Sequence, residues 1–477
     1  MSKPRIGLIT FGDNREHEWK HVFQKMTEPY HKDAVAFLEQ LPVELVVDEN
    51  VARTRDEINA QVDFLRSEKV DALVAHTPCW TSPNLVVHGV QRLGLPTIVL
   101  GNKHPGTHST VGLLGAGGTL SQIGFPHIRI REDFSKALIE KVMPFFRASL
   151  AKTRLPGKQF GLFGGRSLGI DTGTYDPMQW KQLFGIDSEH IDQLEIVRRA
   201  EMVSKEESSR MVRWLERSVG KVAYDDEKLL PEKLDFQARC YLATVEIILE
   251  HGLDFVAIKC MPDMTNHYVP QCLSAALLPG PYDADGLREP VMMACEADAD
   301  AALSMEILKE ISGGLPVLFM DVSYIDDDEG VFYFPNCGAF CSWYAGRSGN
   351  PEENLRKVEL RPANRPAGGA ITYFTAAPGP LTLARLYRVE GKYRMMVISA
   401  ETVEIPDEQY TRFVEARGSH QLPTAFMRMD VDIDELISEF GSNHIMGVAG
   451  NFMEELRHFC KLMDIELIQP KSKTKNS

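Results

Sequence analysis

The hydrophobic pattern of this chain changes its period once, and that change limits the architectures open to it. Through the first 320 or so residues, short apolar runs alternate with segments whose apolar residues recur at helical spacing. Residues 5–11 (RIGLITF), 43–47, 70–76 and 96–100 read as strands, and residues 16–41, 54–67 and 85–93 as helices. A second series begins with the strand KQFGLFG at Lys158 and continues through helical stretches at 187–219 and 231–251 to a strand at 255–260. From about Lys357 the period becomes two: KVELRP, GAITYFT, LTLARLYRVE and KYRMMVISAETVEI alternate between turns. The pattern predicts an α/β protein: two doubly wound parallel-sheet domains (1–155 and 156–312), then an antiparallel, barrel-like domain (313–477) closed by a helix over 446–463.

In parallel sheets, ligands meet the loops at the carboxyl ends of the strands. In the first domain those loops carry Arg15 and Trp80, which read either as pocket residues or as a surface ion pair and a packing residue. Two glycine-rich stretches invite a nucleotide reading. LLGAGGTL (113–120) lacks the spacing and follows no clear strand, so it reads as a turn or a helix-packing feature. GGRSLG (164–169) is one residue short of a phosphate loop and has Arg166 where the lysine would stand, although its amides suit an anionic group. The first strand is followed by no dinucleotide fingerprint, which argues against a dehydrogenase.

The net charge of −15 excludes broad binding to nucleic acid or anionic membranes; the one basic cluster, at 471–475, sits in a polar tail. Eight cysteines without a CxxC pair fit a reducing compartment, and no apolar stretch is long enough to span a bilayer. A soluble cytoplasmic protein is expected.

Residues 294–322 (ACEADADAALSMEILKEISGGLPVLFMDV) place two carboxylates at the ends of one helix-strand unit. Fifteen helical residues rise about 22 Å, and a strand of six or seven residues returning past Gly313–Gly314 covers about 20–23 Å. The return brings Asp321 near Glu296. Either the pair forms a metal or acid/base site, or Glu296 complements the helix dipole and Asp321 closes a strand. His444, beside Asn443 in a loop before the expected last helix, is a candidate third member. Two carboxylates and an imidazole suit Mn²⁺, with Mg²⁺, Co²⁺ or Fe²⁺ as alternatives.

The segments SLGID, EIVRRAE, IKCMPDMTNHY, CEADADAAL, PVLFMDV, NLRKVEL, PAGGA, APGPLTLARL and GSNH, in this order, resemble the L-fucose isomerase and L-arabinose isomerase superfamily, on its fucose isomerase side. The resemblance implies that Glu296 and Asp321 are metal-binding acid/base carboxylates and His444 a metal-binding histidine. It also implies that Asn443, Arg15 and Trp80 line the sugar pocket, and that Leu168 reaches a neighbouring subunit's site. A three-domain fold, Mn²⁺, a hexameric or trimer-based homo-oligomer with active sites between subunits, and aldose-ketose isomerisation through a cis-ene-diol are implied as well. The chain is shorter than typical bacterial fucose isomerases, Met261 stands where a glutamine is expected, and Arg166 replaces an apolar residue. These departures point to an anionic sugar such as sulfoquinovose, with Arg166 as the anion's partner or as part of an intersubunit salt bridge. Neutral sugars (L-fucose, D-arabinose, L-arabinose) are the alternative substrates. A non-catalytic sugar-binding protein is the rival from another class.

Overall fold

Arg5–Thr10 is paired in parallel with Glu44–Val47 on one side and Ala72–His76 on the other, and Thr97–Gly101 and His127–Arg131 complete a five-stranded sheet. The computed structural model describes residues 3–416 and 422–473. This sheet belongs to the first of two units, Met1–Arg154 with Glu454–Asp464; the second is Leu155–Met453 with Ile465–Ser477. Parallel neighbours require long crossovers, which the helices Gln24–Glu39, Arg55–Ser67, Pro83–Leu93 and Ser109–Gln122 provide. The sequence reading has no strand at His127–Arg131, because HIRIR carries its charges on an outward face at the sheet edge. LLGAGGTL lies inside the helix Ser109–Gln122. There Gly117 packs so closely on the edge strand that a Cβ would collide with Arg129.

In the second unit a four-stranded parallel sheet has the order Met292–Ala294, Phe255–Ile258, Gln159–Phe163, Asp187–Ile191. The helix expected over 187–219 is instead this polar edge strand followed by Leu194–Met202 and Lys205–Ser218. Ser204 and Glu207 form a capping box that starts the last of these, so the chain breaks where its cap chemistry is best. After Met292–Ala294 the chain enters the helix Ala299–Ser312, ends it at Gly313 with φ +75°, and returns as Val317–Asp321.

That strand does not join the parallel sheet. It forms the edge of a curled antiparallel sheet of order Val317–Asp321, His444–Ala449, Gly379–Val389, Lys392–Thr402, Thr424–Met429, Val331–Pro335, Tyr324–Asp326. Its apolar side buries Leu318, Met320, Phe332, Leu383, Met396 and Ile445. Glu359–Pro362 and Ala370–Tyr373 pair instead with Lys221–Val222 in a small separate sheet. The helix expected over 446–463 is also corrected. HIMGVA is a strand, His444–Ala449, and the helix is Met453–Met463, which packs in the first unit with Glu455 paired to Arg147. A strand buried on both faces has no alternation to distinguish it from a helical segment. Among the described residues no helix is long and apolar enough to cross a membrane. Part of the basic tail, residues 474 and 475, lies outside the described residues.

Candidate metal centre

Register places the first two members of the site. In the antiparallel pair of Val317–Asp321 with His444–Ala449, Asp321 lies directly opposite His444. Glu296 arrives from the other direction, at the end of the parallel strand Met292–Ala294. Its backbone and that of Ala297 take the left-handed conformation, with φ 58° and 55°. Such residues without the freedom of glycine cost about 1–2 kcal/mol each. The two-residue twist turns the chain from the strand into the helix and leaves the Glu296 carboxylate facing the imidazole. His444 Nε2 lies 3.0 Å from Glu296 Oε2 and 3.4 Å from Asp321 Oδ1. One donor atom from each of these residues lies within 4.8 Å of the others. The return geometry read from the sequence is thus realised.

His444 is fully buried, and its other nitrogen is held as firmly as the first. Asp298 Oδ2 stands 2.7 Å from Nδ1, and the Phe319 ring packs 4.5 Å from the imidazole. A carboxylate on the far nitrogen fixes the tautomer, so that Nε2 is presented to a cation. Asp298 in turn caps the helix, accepting from the Ala301 amide at 2.9 Å, and pairs at 2.9 Å with the fully buried Arg385. Burial alone would raise the Asp298 pKa, but the Arg385 guanidinium and His444 outweigh it and hold it below the usual carboxylate value. Burial likewise opposes a charge on His444, yet hydrogen bonds to Asp298, Asp321 and Glu296 hold it well above the ordinary imidazole range. The donor set therefore favours a positive centre beside Nε2. Three carboxylates gather around His444, one of them, Asp298, paired with a guanidinium, and a divalent cation fits the remaining excess of negative charge.

Asp298 and Arg385 belong to this cluster and are not anticipated from the sequence. Asp298 had a usable signal, since it is the N-cap in EADAD; Arg385, mid-strand in LTLARLYRVE, had none. Two further polar groups complete the rim. Asn443 Nδ2 lies 3.0 Å from His444 Nε2, and Asn336 donates to Asp321 Oδ2 at 3.4 Å.

The loop after Gln159–Phe163 closes on this centre. Thr172 donates to Asn443 Oδ1 at 3.3 Å and accepts from Arg385 through its carbonyl, and Gly173 packs against Asp298. The same loop carries Arg166, paired with Asp171, and the exposed Leu168 with φ 49°. Ser167 donates to the carbonyl of the buried Met261 at 2.8 Å, which ties this loop to the one after Phe255–Ile258. Arg15 and Trp80 belong to the first unit. Arg15 forks onto the buried Asp13, with contacts of 3.1 and 2.6 Å, and its guanidinium lies 5.9 Å from the Trp80 ring.

Residues 3–157 match the first N-terminal domain of L-fucose isomerase, and residues 334–470 match its C-terminal domain. A sulfoquinovose isomerase of Alkalicoccus urumqiensis is 23% identical over 84% of this chain and 87% of its own length. An L-fucose isomerase of Bacteroides fragilis is 24% identical over 92% and 89%. A sulfoquinovose isomerase of Priestia aryabhattai is 21% identical over 93% and 95%. With both terminal domains matched in order, and with relatives aligned along most of their length, the chain belongs to the fucose isomerase-like family.

Proposed function

We propose that the protein is an aldose-ketose isomerase whose divalent cation, Mn²⁺ in our reading, is held by Glu296, Asp321 and His444. The observation that carries this reading is the convergence of two carboxylates on an imidazole whose far nitrogen is already fixed by Asp298. A non-catalytic sugar-binding protein would have no use for that arrangement. When bound, the cation supplies Lewis-acid polarisation of the sugar carbonyl and its neighbouring hydroxyl.

The remaining steps are the chain's own. One carboxylate of the Glu296/Asp321 pair takes the proton from C2 of the open-chain aldose as the carbonyl oxygen gains a proton, giving the cis-ene-diol. That carboxylate returns its proton to C1, while the other carries a proton between O2 and O1. The product is the ketose, with no net change in atoms. Asn443 and Thr172 hold hydroxyls at the rim, and the buried Met261 limits the space beside them. Arg166 binds an anionic group on the far end of the sugar, such as the sulfonate of sulfoquinovose. Its exposed pairing with Asp171 costs little to exchange. Two of the cited relatives are named sulfoquinovose isomerases, which favours the anionic substrate over L-fucose, D-arabinose or L-arabinose.

The same reading includes three domains (1–155, 156–312, 313–477) and a cytoplasmic homo-oligomer, hexameric or trimer-based. Arg15, Trp80 and Leu168 then contribute to sites at subunit interfaces. The deciding experiment is a Mn²⁺-supplemented screen of fucose, arabinose and sulfonated or phosphorylated aldoses, followed by ketose formation and by solvent deuterium at C1 or C2. Turnover without metal, or ketose formed from none of these sugars, would overturn the reading.

A further inference from the structure

Beside the metal centre lies a thiol pair that the proposed reaction does not use. Cys295 immediately precedes Glu296, and its Sγ lies 3.8 Å from the Sγ of Cys337. Cys337 follows Asn336, the residue that donates to Asp321. Each thiol is therefore one residue away from a group that sets the position of a site carboxylate. Of the eight free cysteines, seven are buried and Cys337 alone is partly exposed. Cys272 sits on the other side of Cys337, with its thiol 3.8 Å from the Cys337 carbonyl.

The geometry points to Cys295 and Cys337 as an oxidation site at which a disulfide reversibly switches off the adjacent centre. A peroxide reaches Cys337 first. The Cys337 sulfur attacks one peroxide oxygen, an S–O bond forms as O–O breaks, and the second oxygen leaves as water. Cys295 then attacks the Cys337 sulfur, S–S forms as S–O breaks, and the sulfenyl oxygen also leaves as water. Two thiols lose two electrons and two protons, and one hydrogen peroxide becomes two waters.

The sulfurs must close from 3.8 Å to about 2.05 Å. That movement falls on the left-handed turn at Glu296 and Ala297 and on the loop carrying Asn336. A shift of either segment moves the carboxylate beside it, and a displacement of about 1 Å at a reacting group costs about a hundredfold.

The full chain is treated with hydrogen peroxide, alkylated, digested without reduction and mapped by mass spectrometry, with turnover measured before and after dithiothreitol. The expected result is a peptide cross-linked through Cys295 and Cys337, a loss of turnover of about tenfold or more, and recovery on reduction. Cys337→Ser is expected to keep basal turnover and to retain it under peroxide. Linkage of Cys337 to Cys272, oxidation of Cys337 without a cross-link, or loss of activity in Cys337→Ser at the wild-type rate would each overturn the inference. The peptide map needs only the wild-type chain, so it decides even if the serine variant does not fold. The map stands apart from whether the protein is an isomerase, whereas the loss and recovery of turnover rest on the proposed function.

Discussion

The helix Ala299–Ser312 has a buried charged cluster near each end, and the two are built on different principles. Past its N-terminus, Glu296, Asp298 and Asp321 gather around His444, one of them, Asp298, is paired with the guanidinium of Arg385, and the Asp321 side chain remains 31% exposed. Toward its C-terminus, Glu306 and Glu310 meet Lys158 and Lys309. Lys158 Nζ lies 2.7 Å from Glu306 and 3.0 Å from Glu310, and Lys309 lies 2.8 Å from Glu306. Burial opposes the charge on Lys158, but the two glutamates outweigh it and raise its pKa above the ordinary lysine value. The second cluster is compensated within the chain, with only the partly exposed Asp254 at its margin, 3.9 Å away. The first keeps an excess of negative charge, even with a proton on His444, until a cation joins it. Buried charge by itself therefore does not mark a site; an excess of one sign with an opening to solvent does.

The sharpest way to break this comparison is to remove one charged group from each cluster. Glu296→Gln or Asp321→Asn is expected to lower kcat by about 10²–10⁴-fold, the usual contribution of a positioned acid or base. Thermal unfolding of these variants should respond less to added Mn²⁺ than that of the wild type. Lys158→Met should do the opposite. It leaves Glu306 buried with Lys309 alone and costs about 3 kcal/mol of stability, read by denaturant unfolding, while turnover per folded molecule and the response to metal stay unchanged. If Lys158→Met changed metal affinity, the two clusters would not be separate devices.

Asp298→Asn tests the link between the metal centre and the helix. The amide still fits the N-cap but no longer neutralises Arg385 or fixes His444. A loss of about 10–100-fold in metal affinity is expected, measured by calorimetric titration of the chelator-stripped protein. Rescue by a glutamate at the position is not expected, because the longer side chain cannot cap the helix and reach Nδ1 together.

These particulars also explain how much could be read in advance. The apolar runs at Arg5–Thr10, Ala72–His76 and Phe255–Ile258 are long and bounded, so the parallel sheets were legible. The strands that escaped are either polar edges, as in Asp187–Ile191 and His127–Arg131, or buried on both faces, as in His444–Ala449. The helix-return distance was enough to bring Asp321 back toward Glu296, because rise per residue is a property of the backbone. His444 was identifiable as a member of the set by resemblance, but its position depends on strand register, which comes from long-range pairing. Arg385 is the clearest loss. Alternation in LTLARLYRVE puts Arg385 on the same face as the buried Leu381, Leu383 and Tyr387, where a charge is out of place, and only Asp298 makes its burial intelligible.

The smallest effect concerns Asp300, which lies between the two clusters on the same helix. It accepts from the Tyr393 hydroxyl at 2.9 Å and pairs with Arg388 at 3.2 Å, and burial pushes its pKa up to about 6 despite both arginines nearby. The folded state therefore holds this proton more tightly than the unfolded chain, whose value is near 3.8. Between about pH 4 and pH 6 the native protein carries more of the proton, so the contribution of Asp300 to stability is complete below pH 4 and is lost as the pH rises through 6. Asp300→Asn removes that dependence. Relative to the wild type, the variant should gain stability across this window by on the order of 2 kcal/mol, read as the difference between two denaturant-unfolding series against pH. A difference that stays flat from pH 4 to pH 6 would mean that Arg388 and Tyr393 already hold Asp300 ionised throughout. The N-terminal cluster would then carry one more negative charge, and its demand for a cation would be correspondingly stronger.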